Sequence, residues 1–443
     1  MSNAPHCTPV DCTVPSHSPD RRGPDTDYGD HTRWSCGQFL NEIRRQSDAL
    51  ADDCVTQLEA DPAIEGNVAM TAARIFGEMD SNADRVPEDA PEALKDFFSN
   101  VLSEGRLCHH CGSPSLLPHT DHERVLNGQQ FFMTQSFGCV LVLVARGLPE
   151  GYASPYMAQM LHWTGLLEKH AYRRLVGTLQ TLVNVSTLQG YERFGKGVVT
   201  AYQLRLLHAG IRKIIPDTIQ DRYGAVPVNI EDMLGTILAF SLMVVYGLRD
   251  LGVSEKPGAP WSQDEQDYWY LWMTFGRLLG LHPKDQPNSM DFIPKDLDEA
   301  AEFYEAFKAR HYEPDVVNNP WGKDLAEAHL KMLVKMLPIS GKFGFSVFPR
   351  IYMQQLNGDP AMERIGLKPV RLFLFSKWLL HELPHIWYNL WGSRNTRIHA
   401  DLSRWFFQRL VDRSFKQGVK YLIPTDVADL EKLLEGFSTG RRF

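Results

Sequence analysis

One histidine of this chain lies in a pattern that suits metal binding. His208 belongs to residues 198–215, where apolar side chains recur at helical spacing. On a helix it shares one mostly aliphatic face with Ala201, Leu204, Arg205, Ile211 and Arg212. A buried imidazole needs a partner for at least one nitrogen. That partner is either a backbone carbonyl or a haem iron, in which case Arg205 and Arg212 would pair with the haem propionates.

A second pattern with metal-binding spacing is HELPH, which contains His381, Glu382 and His385. Zinc proteases of this type need both histidines on one helical face and the glutamate as a base. Pro384 interrupts the backbone hydrogen bonding within the motif, and no further ligand follows at the spacing of known zinc proteases. A zinc hydrolase is therefore a remote alternative, and residues 371–391 are predicted to form a kinked aromatic core helix.

Two of the seven cysteines, Cys108 and Cys111, have Cys-x-x-Cys spacing, with His119 and His122 downstream. A c-type haem would need a histidine directly after the second cysteine, where Gly112 stands. Zinc could bind all four side chains, but the spacing fits no zinc-finger class, so a redox or exposed loop is favoured. The low, odd cysteine count argues against a disulfide scaffold.

The segments that must position these residues are predicted to be helices. From Trp34 onward the apolar spacing is helical, and Pro and Gly separate the segments. The clearest segments are 39–58, 154–185, 198–215, 230–251, 264–281, 297–311, 325–337, 370–391 and 402–417. We predict an all-α fold in which residues 33–443 form one large helical domain with a globin-like haem-binding core. Residues 1–32, rich in Pro, Ser, Asp and Thr, are predicted to be a disordered tail.

The charge balance narrows the class of ligand. Lys and Arg number 46 against 54 Asp and Glu, which gives a net charge of −8. This acidic surplus argues against nucleic-acid binding and against a polybasic membrane surface. The sequence shows no signal peptide and no run of 18 apolar residues that would span a membrane. We therefore expect a cytoplasmic protein whose partner is a small apolar molecule.

Five stretches, taken together in order and spacing, resemble a known family. They are YRRLVGTLQTLVNV (172–185), LRLLHAGIRKII (204–215), VPVNIEDMLGTILAFSLMVVYGLRDLG (226–252), YWYLWMTFGRLLGLHPKDQPNSMDF (268–292) and, more weakly, FPRIYMQQLNGDPAMERIGLKP (348–369). The family is that of the rubber oxygenases, or latex-clearing proteins, which includes the endoplasmic-reticulum-bound oxygenases that cleave prenyl side chains. The resemblance covers about residues 130–370.

The resemblance implies a b-type haem with His208 as the proximal ligand of its iron. It also implies that Arg174 and Thr178 lie on the distal side. There the guanidinium would donate hydrogen bonds to dioxygen and stabilise negative charge, and the hydroxyl would orient the same oxygen or a water. The expected reaction is oxygenation or oxidative cleavage of a C=C bond. The alternatives are that Arg174 pairs with Glu168 and that Thr178 only packs.

Two positions depart from the family pattern. Some rubber oxygenases carry a lysine three residues after the arginine, where this chain has Gly177, so we expect a more open distal site. The family's glutamate about sixteen residues before the arginine falls near Ala158, which leaves Glu150 and Glu168 as the nearest candidate bases. The rubber-specific mechanism is therefore not expected here. Because the sequence shows no export signal, we expect an intracellular isoprenoid or other lipid-like substrate. The other hypothesis is a non-catalytic haem carrier or sensor.

Overall fold

The computed structural model describes most of the region that the sequence predicts to be folded. The described residues are 33–35, 37–61, 90–104, 121–163, 166–186, 196–215, 219, 224–282, 292–336, 347–370 and 405. Within them every regular element is helical and no strand occurs, which confirms the prediction of an all-α fold.

The α-helices are α1 (Gly37–Arg44), α2 (Ala49–Ala60), α3 (Glu92–Glu104), α4 (His122–Val142), α5 (Leu148–Gly151), α6 (Pro155–Trp163), α7 (Leu166–Ser186), α8 (Lys196–Ile214), α9 (Ile230–Phe240), α10 (Leu242–Asp250), α11 (Gln263–Leu278), α12 (Leu297–His311), α13 (Pro320–Met336), α14 (Val347–Asn357) and α15 (Asp359–Arg364). Short 3₁₀ turns cover Arg33–Ser35 and Val316–Asn318, and a π-helical turn, Leu143–Gly147, joins α4 to α5.

The helix breaks are the main difference from the predicted elements. The predicted helix 39–58 is two helices, because the Asp48 side chain accepts a hydrogen bond from the Ala51 backbone N–H and thereby starts α2 anew. The predicted helix 230–251 is interrupted at Ser241, whose φ of −117° and ψ of −87° are not helical. The predicted helices at 370–391 and 402–417 lie almost wholly outside the described residues.

The core is built around α4 and α11, which pack closely against each other. Gly128 makes the close approach possible, since a Cβ there would overlap the backbone of Asp267. Aromatic side chains fill the space on either side, with Phe132 of α4 and Trp269 and Trp272 of α11 all buried. Helices α7, α8, α9 and α10 pack around this pair, so α7 and α8 are held against a well-packed centre.

The π-helical turn after α4 is held by side chains from later in the chain. His329 of α13 donates from Nε2 to the Val144 carbonyl over 2.7 Å, and the Asn357 amide of α14 donates to the Ala145 carbonyl over 2.7 Å. Widened turns of this kind leave carbonyls without their usual helical donors, so these two contacts stabilise the turn.

Two helical stretches of the described chain are long and apolar enough to cross a bilayer, His122–Gly151 and Ile230–Asp250. Their most apolar windows are 61% and 78% buried inside the protein. Because core helices of soluble proteins have the same length and composition, this is weak evidence for membrane spans. The expectation that the chain has none stays a prediction.

Candidate functional site

The structure places the predicted site residues on two helices that pack against each other. Arg174 and Thr178 belong to α7, and His208 belongs to α8. The last turn of α7 meets the first turn of α8, where the Asn184 amide donates to the Thr200 hydroxyl over 2.9 Å. At about 1.5 Å per residue, His208 is about 12 Å along α8 from this contact, and Thr178 and Arg174 are about 9 and 15 Å along α7.

The part of α7 that carries the predicted distal residues is only partly enclosed. Thr178 and Gly177 are both half-buried, and the Gly177 carbonyl accepts a hydrogen bond from the Thr181 hydroxyl over 3.2 Å. The side chains of Arg174 and Glu168 lie outside the described residues. The predicted distal role of Arg174 and its alternative, a pair with Glu168, therefore both stay predictions.

The observed surroundings of His208 are compatible with a haem ligand. Its ring is half-buried on α8, and its Nδ1 atom is buried within the protein. Haem-binding histidines commonly ligate iron through Nε2 while the protein encloses Nδ1, and one such imidazole is the usual proximal ligand of a b-type haem. The residue present therefore fits the cofactor that the sequence predicts.

Arg205, one turn before His208, forms an ion pair with the carboxylate of Asp48. Its guanidinium donates from Nε and Nη2 to the two oxygens of Asp48, over 2.6 and 2.9 Å, and both side chains are buried. Burial alone would raise the pKa of Asp48, but attraction and hydrogen bonding from Arg205 hold that pKa below its usual value. Gly280, with φ at +85°, covers the pair, since a Cβ there would lie 2.9 Å from the Asp48 carboxyl carbon.

Arg212, one turn after His208, forms the matching pair. It donates from Nε to Asp52 over 2.7 Å and from Nη1 to the Val228 carbonyl over 3.3 Å. Val228 has φ of +51°, a conformation that β-branched residues rarely adopt. The predicted contact of both arginines with haem propionates stays a prediction. The aspartates that hold them here were missed, although Ser47-Asp48 before a helical run is a recognisable capping signal.

The carboxylates considered as catalytic bases have other surroundings. Ala158 is buried in the core and brings no acid to that position. Glu150 of α5 accepts a hydrogen bond from the Tyr304 hydroxyl over 2.6 Å. Burial and the charge of Glu150 raise the pKa of Tyr304 well above its usual value, so the tyrosine remains a donor. Glu150 is thus held by α12 in this structure.

A buried charge network joins α1, α9 and α12. Glu231 is fully buried and accepts hydrogen bonds from Arg44 over 3.1 Å and from His311 Nε2 over 2.9 Å, with Arg310 Nε 3.4 Å away. Arg44 also donates to Asp232 over 2.7 Å. Burial would raise the pKa of Glu231, but attraction to His311, Arg44 and Arg310 lowers it to about 2. Burial lowers the pKa of His311, although Glu231 opposes that shift.

A second buried histidine, His329, is paired with a tyrosine beside the π-helical turn. Its Nδ1 lies 3.0 Å from the Tyr152 hydroxyl, and its Nε2 donates to the Val144 carbonyl. Because Nε2 carries the proton, Nδ1 accepts from the hydroxyl. Burial lowers the pKa of His329 to about 4, against a small opposing effect of the Val144 carbonyl, so the ring is neutral at pH 7.

No cluster of three or more His, Cys, Asp or Glu side chains with metal-binding geometry occurs in the described part of the chain. The HELPH motif with His381, Glu382 and His385, and the residues Cys108, Cys111 and His119, all lie outside that part. His122 is described and is exposed at the start of α4. The two zinc alternatives therefore stay untested.

Comparison with known proteins gives three matches. The sequence profile described as ER-bound oxygenase mpaB/B'/Rubber oxygenase, catalytic domain, matches residues 128–380. A rubber oxygenase from Streptomyces sp. (strain K30) is 22% identical over 253 residues, which cover 52% of this chain and 58% of that protein. The structure of latex clearing protein LCP in the closed state has a TM-score of 0.60 at 17% identity, over 84% of this chain and 90% of that one.

These matches bear on the resemblance and on the fold. The matched residues 128–380 include nearly the whole stretch, about 130–370, in which the sequence resembled the rubber oxygenases, so that prediction is confirmed. The likeness to the latex clearing protein structure, at 17% identity, shows a shared fold.

Proposed function

Since the chain belongs to the ER-bound oxygenase mpaB/B'/rubber oxygenase family, whose catalytic-domain profile covers more than half of it, we propose that it is a haem b-dependent oxygenase. It uses dioxygen to cleave or oxygenate a C=C bond of an apolar substrate of the isoprenoid class. The observation that carries the proposal is that α7 and α8 pack together within the matched domain, with His208 on one and the Arg174–Thr178 stretch on the other.

The chain's own residues have separate tasks in this proposal. His208 holds the haem, whose iron supplies the site for dioxygen activation. With haem bound, Arg174 would supply hydrogen-bond donors and a positive charge beside the oxygen site, and Thr178 would orient the oxygen or a water. Gly177, in place of a bulkier residue, leaves room on the side of α7 that faces substrate.

The proposed substrate is a small lipid-like molecule in the cytoplasm. The net charge of −8 disfavours polyanionic ligands such as nucleic acids. Rubber appears in the name of the Streptomyces relative, of which the match spans 58%, and the family description names ER-bound oxygenases beside the rubber oxygenases. A terpenoid small enough to enter a helical protein would present the same type of C=C bond.

The test begins with the visible spectrum and pyridine haemochrome of the purified wild-type protein, His208→Ala and His162→Ala. His162 is a half-buried histidine of α6 and serves as the control. We expect one haem per chain in the wild type and in His162→Ala, and loss of the Soret band in His208→Ala. A wild-type protein that takes up no haem when haem is plentiful would refute the proposal.

Oxygen uptake then separates an oxygenase from a haem carrier. With squalene as the test alkene, the wild-type protein should consume oxygen and yield carbonyl products that mass spectrometry identifies. Arg174→Ala should keep the Soret band but lose at least about 100-fold in rate, the usual effect of removing one charge-stabilising donor. If the protein binds haem but consumes no oxygen in the presence of squalene or any other alkene, the hypothesis of a haem carrier or sensor is favoured.

A further inference from the structure

Two ion pairs hold α8 on either side of His208. Arg205 lies one turn before the histidine and is bound to Asp48, and Arg212 lies one turn after it and is bound to Asp52. Both aspartates are at the start of α2, Asp48 as its N-cap and Asp52 in its first turn. Because the two arginines lie three residues before and four after the histidine, the pairs fix both the rotation and the axial position of α8.

Asp48 and Asp52, the two residues of the α2 region that bind these arginines, are held in place by further contacts. Asp48 is tied to its own helix by the hydrogen bond from the Ala51 N–H, over 3.2 Å. Gly280, just after α11, packs against the carboxyl group of Asp48, where a residue with a Cβ would not fit. The second oxygen of Asp52 accepts from the Ser47 hydroxyl over 2.7 Å. Neither carboxylate can therefore move without breaking other contacts of α2.

We infer that Asp48 and Asp52 are positioning residues that aim the imidazole of His208 at the haem iron, an inference that rests on the proposed function. Helix α2 precedes residues 128–380, which match the family profile. The segment that orients the predicted ligand therefore lies outside the matched domain. Correct orientation of a metal-binding histidine, which in other proteins comes from groups that hydrogen-bond its ring directly, is worth about 10- to 100-fold in metal affinity.

The test removes each charge and keeps the helix cap. Asparagine is as good an N-cap as aspartate, so Asp48→Asn and Asp52→Asn should break the ion pairs without unwinding α2. The control matched to Asp48→Asn is Glu265→Gln. Glu265 forms a two-bond pair with Arg249, over 2.9 and 2.6 Å, which lies between α10 and α11 and is as buried as the Asp48–Arg205 pair. Glutamine also preserves the capping box of α11.

Each holoprotein is mixed with excess apomyoglobin, and the transfer of haem is followed at the Soret band. The iron–histidine stretch in the resonance Raman spectrum of the ferrous protein reports the tilt of the imidazole, and urea unfolding gives the stability of each variant. We expect the two Asp variants to lose haem about 10- to 100-fold faster than the wild type and to shift the stretch. Glu265→Gln should be destabilised and change neither.

Other results would overturn the inference. If haem loss follows stability alone, equally in Glu265→Gln and in the Asp variants, the two aspartates are only structural. If the Asp variants keep the wild-type transfer rate and iron–histidine stretch, they do not position the ligand. A wild-type protein without haem would instead refute the proposed function and, with it, the role given to Asp48 and Asp52.

Discussion

Replacing Glu231 with glutamine should lower the free energy of unfolding by about 3–5 kcal/mol, because it leaves buried arginines without their counter-charge. Glu231 accepts from Arg44 on one oxygen and from His311 on the other, with Arg310 beside it. An amide has one acceptor oxygen and one NH₂ group, so either orientation turns a donor toward a donor. Asp232 would remain as the sole carboxylate beside Arg44.

The pKa of Glu231 gives an independent magnitude. A fall from 4.5 to about 2 corresponds to about 3 kcal/mol of stability at neutral pH. This contribution is complete above the unfolded pKa and is lost as the pH falls from 4.5 toward 2. The difference between the wild type and Glu231→Gln should therefore shrink by about 1 kcal/mol between pH 7 and pH 4.

Urea unfolding at both pH values measures the effect. The control is Asp250→Asn, which removes the ion pair between Asp250 and Arg146. The Asp250 side chain is 44% exposed, so the substitution should cost less than about 1 kcal/mol. A loss below about 1 kcal/mol for Glu231→Gln at pH 7 would refute the reasoning. A difference that stays constant down to pH 4 would contradict the assignment of the pKa.

Three further outcomes follow from buried groups. Because the pKa of His329 is about 4, the unfolding free energy of the wild type should fall by up to about 3 kcal/mol as the pH drops from 6.5 to 4. In an acid titration, the unfolding free energy of His329→Gln should not show this fall. Gly247→Ala should cost about 1–3 kcal/mol in urea unfolding, because the added Cβ overlaps Val142, and adding Val142→Ala should restore part of the loss. Burial raises the pKa of the Cys54 thiol to about 12 and raises that of Cys139, so peptide mass spectrometry should find both unalkylated by iodoacetamide at pH 8 until urea is added.

The helices were predictable because their apolar spacing is continuous. Residues 198–215 were expected and α8 spans Lys196–Ile214, while 297–311 matches α12 as observed. The breaks at Asp48 and Ser241 were not predicted, because neither residue interrupts the apolar pattern. Ser47-Asp48 is a recognisable capping signal, but apolar spacing alone does not show which N–H group a capping side chain reaches.

The candidate site was predicted only in part. His208, Arg174 and Thr178 were proposed from helical spacing and the family resemblance; α7 and α8 do pack together, and the roles of the three residues stay predictions. The partners of Arg205 and Arg212 could not be read from spacing, because they lie 157 and 160 residues away in the sequence. An arginine one turn from a histidine suits either a propionate or an aspartate, and only the tertiary contact distinguishes the two.

The π-helical turn Leu143–Gly147 also sets the direction in which the side chains of α5 point. Such a turn accommodates one residue more than an α-helix does, and one residue advances the azimuth by about 100°. All side chains of α5 are therefore rotated relative to those of α4, away from where an unbroken helix would point them. The extra residue of this turn therefore directs the four residues of α5 toward different neighbours, and the hydrogen bonds from His329 and Asn357 stabilise that arrangement.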